Sequence, residues 1–443
     1  MSVRRVAVIG AGASGLASAK WLAAAGLEPT VFERTDRVGG VWNYDESMPG
    51  GGSPAYRSLV TNVSRQKTQL SDHELPDGLA DFPARADVLA WLESYAHRFD
   101  LRRWIRFGSL VVSVERRGDG WRVDGEDFDA VVVASGLFAR PLAPAVPGLG
   151  SFRGRPMHAA AYRHPEELAD LDVIVAGSGS SGADVAVELA AVSRVTLSVR
   201  DVAAVVPKTL GGRPLDHLLT RRLQRRPADE RGRLLREAIA GEYRARGLPA
   251  PDRWPPPLAA LVHGRSPTPS EQLAALVLRG TIGLWPGIAS VEGEHVLFTD
   301  GTRRRADLIV LATGYALELP FLPPDVLRVR DDAEVDLYRQ VWHPEVDGLA
   351  CVGLCRVSGA VPPIAEMQAR WVAQVLSGAA ALPPADERRR EIAGRRARHA
   401  AAGTEYMRVP FLGYLDEIGE LIGARPRDEA ALQDAVVSAT QYR

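Results

Sequence analysis

One glycine pattern occurs twice in this chain. Gly10, Gly12 and Gly15 follow the apolar run Val6 to Ile9, and Gly177, Gly179 and Gly182 follow Val173 to Ala176. Helix-like stretches come next, Leu16 to Ala25 in the first case and Ala183 to Ala191 in the second. A strand, a G-x-G-x-x-G turn and a helix make a βαβ unit for a dinucleotide, because the glycines form the tight turn and admit a pyrophosphate to the helix N-terminus. The fold class expected is therefore α/β, with two Rossmann-like dinucleotide-binding domains.

The residue that closes each pattern differs in sign. At the same distance beyond the first glycine stand Glu33 and Arg200, each ending a strand-like run. An acidic residue there accepts hydrogen bonds from ribose hydroxyls, whereas an arginine suits a 2′-phosphate. The first site is thus expected to take FAD or NAD and the second NADPH, with Lys208 a further candidate for the 2′-phosphate. Two nucleotides of this kind side by side point to redox chemistry.

A second repeat supports the first. Ser113-Val114-Glu115, a turn at Asp119-Gly120 and the run AVVVASG are matched by Ser290-Val291-Glu292, a turn at Asp300-Gly301 and LIVLATG. Each fingerprint is followed by a predicted hairpin and a buried strand, which is duplication of a whole domain plan.

A length of 443 residues predicts two or three domains. The 54 basic and 55 acidic residues nearly cancel, so no overall attraction to nucleic acid or an anionic membrane is expected. No apolar run is long enough to cross a bilayer, and the chain opens directly on its first strand, so the expected location is cytoplasmic. Lys20, Lys67 and Lys208 are the only lysines; with the abundant alanine this implies a GC-rich bacterial genome. Cys351 and Cys355 are expected on one face of a strand as small apolar residues, and no metal site is expected. The spacing of Val88, Leu89, Trp91, Leu92, Tyr95 and Phe99 predicts a helix with one buried face. Residues 208–280, with Arg221, Arg222, Arg225, Arg226 and Pro255-Pro256-Pro257, exceed the minimal plan and are expected to form helices and a loop, either a lid or a solvated insertion.

Between the two fingerprints stands Phe152-x-Gly154-x-x-x-His158-x-x-x-Tyr162. This resembles the FxGxxxHxxxY/F sequence of the flavin-containing monooxygenases. Gly39-Gly40-Val41-Trp42, Thr61-Asn62, Ala312-Thr313-Gly314-Tyr315 and the run Pro363 to Trp371 resemble further motifs of that family, so the likeness spans roughly residues 3 to 380. It implies an FAD domain with an inserted NADPH domain: residues 1–165 and 306–443 for FAD, and 166–305 for NADPH. On that plan FAD falls to Gly10, Gly12, Ala13, Ser14, Gly15, Glu33, Gly40, Val41, Trp42, Thr61, Asn62 and Gln368. NADPH falls to Gly177, Ser178, Gly179, Ser180, Ser181, Gly182, Asp184, Arg200 and Lys208.

The resemblance implies that NADPH reduces FAD, that the reduced flavin captures dioxygen as a C4a-hydroperoxide, and that one oxygen passes to a soft nucleophile, nitrogen or sulfur, of a small molecule. Asn62 is the candidate catalytic residue, since a neutral amide both donates and accepts without supplying a proton. His158 is assigned to the fingerprint and not to catalysis. Baeyer-Villiger oxidation of a ketone is the alternative, disfavoured because those enzymes carry Trp where Tyr162 stands. A disulfide reductase would need a reactive cysteine pair just after the first βαβ unit, where Trp42 stands instead, or inside the NADPH domain, which holds no cysteine. A non-catalytic redox sensor is the remaining rival. The substrate and the oligomeric state, a homodimer included, stay open.

Overall fold

The computed structural model describes residues 3–47, 53–200, 204–248 and 267–443. The chain divides into two compact units, Met1–Asn43 with Val63–Arg140 and Ala316–Arg443, and Tyr44–Asn62 with Pro141–Tyr315.

In the first unit, β1 (Arg5–Ile9) leads through the glycine turn into α1 (Ala13–Ala24) and then β2 (Glu28–Phe32). β1 is the centre of a parallel five-stranded sheet, with Ala130–Val133 and Leu349–Cys351 on one side and β2 and Ile105–Arg106 on the other. Val6, Ala7, Val8 and all of Ala130–Val133 are fully buried, as expected of strands covered on both faces. The helix Arg85–Arg98 buries Val88, Trp91, Leu92 and Tyr95, the face its spacing predicts.

The second unit repeats the plan. β3 (Asp172–Ala176), α2 (Ser180–Leu189) and β4 (Arg194–Ser198) surround the second glycine turn. β3 is again central, between β4 with Ile282–Trp285 on one side and Leu308–Leu311 with Arg155–His158 on the other, all parallel.

These boundaries differ from those drawn on the sequence at 165/166 and 305/306. Arg155–His158 adds to the second sheet by pairing with Leu308–Leu311, and Leu142 N donates to Gly314 O at 2.9 Å, so both connections belong with the second unit. Each predicted hairpin is a three-stranded meander. In the first, Arg117 pairs with Gly120, which puts the turn at Gly118-Asp119, and a second turn at Asp124-Gly125 follows.

The strand expected to carry both cysteines ends at Cys351. Cys351 and Cys355 are free and fully buried, and burial pushes each thiol up to about 12. In the insertion, Arg221–Gln224 and Ala228–Ala245 are helical, and Arg221 is buried rather than solvated. Pro255-Pro256-Pro257 lies outside the described residues. Among the described residues no helix is long and apolar enough to cross a membrane. Late in the chain, α3 (Val361–Leu376) starts with proline in its first turn and packs against α1.

A Cβ added to Gly15 would sit 1.8 Å from Gly10 O, and one on Gly182 would sit 2.0 Å from Gly177 O. Gly15→Ala and Gly182→Ala should each cost about 3 kcal/mol or more, because the clash is with backbone that cannot swing away. Urea denaturation of each variant against the parent checks this; a loss under about 0.5 kcal/mol would mean that strand and helix can part at no cost.

Candidate functional site

Gly10 has φ +105° and Gly177 φ +114°, a backbone region that only glycine enters without strain. Neither α1 nor α2 has a side chain capping its first turn or an acidic residue within it, so the N-terminal amides and the positive end of each helix dipole are left to a ligand. The two sites differ at the middle glycine. Gly12 abuts the Gly39-Gly40 loop, where a Cβ on Gly40 would lie 2.9 Å from Gly12 Cα. Gly179 has open space around it and is exposed along with Ser180.

The closing residues differ as well. Glu33 is buried, and its carboxylate accepts from Ala11 N at 2.8 Å, from Thr35 N at 2.9 Å and from Thr35 Oγ1 at 2.8 Å. It therefore ties the end of β2 to the glycine turn, with capacity for about one further donor. Arg200 is exposed and forms no ion pair with a described residue, and its side-chain carbons lie over Gly287, where a Cβ would be 2.7 Å from Arg200 Cγ. A guanidinium held by its stem with its head unpaired fits a phosphate.

In the first unit, Ala13 and Ser14 open α1, and Val41 and Trp42 form a short 3₁₀ turn with Gly40. Gly353, absent from the sequence candidates, presses on Ser14: a Cβ there would lie 2.1 Å from Ser14 Oγ. Its only sequence signal is a glycine after an apolar strand. Asn43 was also missed; it is buried with Oδ1 unpartnered, directly after the Gly-Gly-Val-Trp stretch.

Gln368 needs correction. It was expected to touch the flavin, but it is fully buried and its amide is occupied by protein. Oε1 accepts from Gly353 N at 2.7 Å, while Nε2 donates to Tyr414 Oη at 2.8 Å and to Gln340 O at 3.4 Å. Gln368 holds the Gly353 turn from inside.

In the second unit, the fingerprint between the glycine patterns is a joint. Gly154 has no room for a side chain, since a Cβ would be 2.5 Å from both Asp307 O and the Phe152 ring. His158 Nδ1 accepts from Ala160 N at 3.0 Å and so caps the turn Ala159–Ala161. Burial lowers its pKa, which keeps the ring neutral at pH 7. Tyr162 is fully buried and donates to Glu188 Oε2 at 2.6 Å.

Thr61 and Asn62 lie in this unit too. Thr61 Oγ1 and Asn62 Oδ1 are buried without partners among the described residues, which fits them to a group that is not protein. Lys208 departs from expectation. It is buried, and its Nζ donates to Thr61 O at 3.2 Å. Burial lowers its pKa, with Asp184 and Glu271 opposing. Ser178 is buried, and its carbonyl accepts from Thr268 Oγ1 at 2.8 Å. Asp184 is largely buried, accepts a hydrogen bond from Tyr56 and has its pKa raised, by burial first. Tyr56 and Glu188 were missed: nothing in their spacing separates them from ordinary core and surface positions.

The flavin-binding monooxygenase-like family model matches residues 3–438. The chain belongs to that family. It is 32% identical to flavin-containing monooxygenase 1 of Rattus norvegicus over 97% of this chain and 85% of that protein. It is 31% identical to dimethylaniline monooxygenase [N-oxide-forming] 2 of Oryctolagus cuniculus, over 96% and 83%. Among solved structures it matches the S-allyl-L-cysteine S-oxygenase of Allium sativum with a TM-score of 0.72 and 27% identity, covering 96% and 90% of the two chains. The open crystal structure of cyclohexanone monooxygenase matches with a TM-score of 0.68 at 22% identity over 95% and 98%, a likeness of fold. As a flavin-containing monooxygenase this is an NADPH-dependent enzyme of α/β fold.

Two predictions follow from these environments. Arg200→Ala should raise KM for NADPH about 10- to 100-fold while leaving KM for NADH nearly unchanged, the loss of a charge-assisted contact to phosphate; equal changes would remove Arg200 from phosphate recognition. Asp184 holds its proton more tightly folded than unfolded, so its contribution to stability is greatest in acid and declines as pH rises through the ordinary carboxylate range. The stability of Asp184→Asn relative to the parent should therefore rise between about pH 4 and 7, read by urea titration; a flat or falling difference would mean that Tyr56 and Lys208 offset the burial.

Proposed function

We propose that this monooxygenase holds FAD at the first glycine turn and NADPH at the second, and transfers one oxygen atom of O2 to nitrogen or sulfur of a small molecule. The observation that carries this reading is that the buried amide oxygen of Asn62 and the hydroxyl of the preceding Thr61 have no partner among the described residues. FAD, when bound and reduced by NADPH, would supply the activated oxygen.

The chain's own residues do the rest. Gly10, Gly12 and Gly15 with the α1 N-terminus would hold the FAD pyrophosphate, and Glu33 the ribose, with Gly40, Val41 and Trp42 closing over the turn. Gly177, Gly179 and Gly182 with Ser180 and Ser181 would hold the NADPH pyrophosphate, and Arg200 its 2′-phosphate. Asn62 would hydrogen-bond the reacting oxygen without bringing a proton of its own, which would suppress loss as hydrogen peroxide. Nitrogen and sulfur are favoured because two of the relatives are named for N-oxide formation and for S-oxygenation. Ketone oxidation is less favoured, since Tyr162 is committed to Glu188 where ketone-oxidising enzymes carry Trp.

Turnover under isotopically labelled dioxygen tests the reading. One labelled atom should appear in the N-oxide or sulfoxide of a tertiary amine or thioether, with NADPH consumed one for one. Label in an ester from a ketone alone would favour the Baeyer-Villiger reaction, and peroxide as the sole product would favour a sensor. Asn62→Ala should bind and reduce FAD normally while product per NADPH falls about tenfold or more, the scale of losing one oriented donor; unchanged coupling would exclude Asn62.

A further inference from the structure

The segment that carries Asn62 is fastened to α2, the helix whose N-terminus forms the second glycine turn. Tyr56 donates to Asp184, and Ser58 donates to Glu188. Arg57 N donates to Arg163 O at 2.9 Å, and Arg163 Nη1 donates to Ala55 O at 3.2 Å. Asp184 and Glu188 are one turn apart, hence on one face of α2, and Tyr162 takes the second oxygen of Glu188. Lys208, which lies outside α2, adds a further hold, from its buried side-chain nitrogen to the carbonyl of Thr61 at 3.2 Å.

That carbonyl belongs to the peptide joining Thr61 to Asn62. A peptide unit is planar, so fixing its oxygen fixes the plane from which Asn62 departs and leaves only the asparagine's own torsions free. The donor is a charge rather than a neutral group, which makes the hold stronger. Asp184 in turn keeps that charge tolerable in a buried place, and Tyr56 orients Asp184.

We infer that Lys208, supported by Asp184 and Tyr56, is a positioning residue for Asn62, setting the amide through the peptide that precedes it. This rests on Asn62 being the group that holds the reacting oxygen. The arrangement gives α2 two duties, nucleotide at its first turn and, through Asp184 and Glu188, the Tyr56 and Ser58 anchors of the segment that leads to Asn62. Lys208 is thereby taken out of phosphate recognition and placed in control of coupling.

The test uses the FAD-loaded full chain with an amine or thioether substrate. Lys208→Met should raise hydrogen peroxide released per NADPH about fivefold while KM for NADPH moves less than about twofold, as expected when an aligned group loses register. Lys208→Arg, which can still donate to Thr61 O, should restore most of the coupling. In the double variant, Lys208→Met should add nothing to the uncoupling of Asn62→Ala, because it acts through that residue. Unchanged coupling in Lys208→Met, additive effects in the double variant, or a rise in KM without uncoupling would overturn the inference. Should Lys208→Met not fold, Tyr56→Phe carries the test: increased peroxide is expected, and parental coupling overturns it. Uncoupling by Asn62→Ala but not by Lys208→Met or Tyr56→Phe refutes positioning alone, whereas coupling retained in all three refutes the role of Asn62 itself.

Discussion

The approach of one glycine carbonyl to another glycine's Cα, made once in each unit, governs the rest of the architecture. With Gly10 O and Gly177 O lying where a Cβ of Gly15 or Gly182 would be, each helix starts hard against the end of its strand. The neighbouring strand must yield as well. A Cβ on Gly10 would strike Ala134 O at 2.7 Å, one on Gly177 would strike Ala312 O at 2.5 Å, and Ala312 Cβ would lie 3.1 Å from one on Gly182. The small residues that end AVVVASG and LIVLATG are thus the counterpart of the glycine turns. The two repeats seen in the sequence are one packing requirement, felt by two strands.

The sequence was legible where physics leaves little choice. Both glycine turns, the strands before them and the buried face of Arg85–Arg98 follow from φ, close contact and periodicity. It was less legible where partners come from afar. Gln368 looked available because nothing local shows that Gly353, Gln340 and Tyr414 converge on its amide. Lys208 reads as a phosphate ligand because nothing local shows that its side chain reaches the Thr61 carbonyl, far away in sequence. Tyr56 and Glu188 gave no signal at all, since a tyrosine and a glutamate become a pair of anchors only when Asp184, Ser58 and Tyr162 are set around them. The turn of the first meander was misplaced by a single residue because Gly118 and Gly120 both suit a turn, and pairing of Arg117 with Gly120 decides between them.

The contrast between Glu33 and Arg200 goes beyond charge. Glu33 is knitted into its own loop by three hydrogen bonds, so the first site is braced before any ligand arrives. Arg200 is exposed and forms no ion pair with a described residue, which leaves its guanidinium available to the phosphate proposed for it. Under the proposed assignment, a braced first site suits a resident group, and an open second one suits a group that comes and goes.

The two buried cysteines have a practical side. A thiol pushed up to about 12 and sealed from solvent is almost wholly protonated at neutral pH and out of reach of maleimides. Since the chain has no others, a cysteine introduced on an exposed face would be its sole reactive thiol, and dyes or spin labels could be attached to the otherwise native protein without first stripping its sulfur.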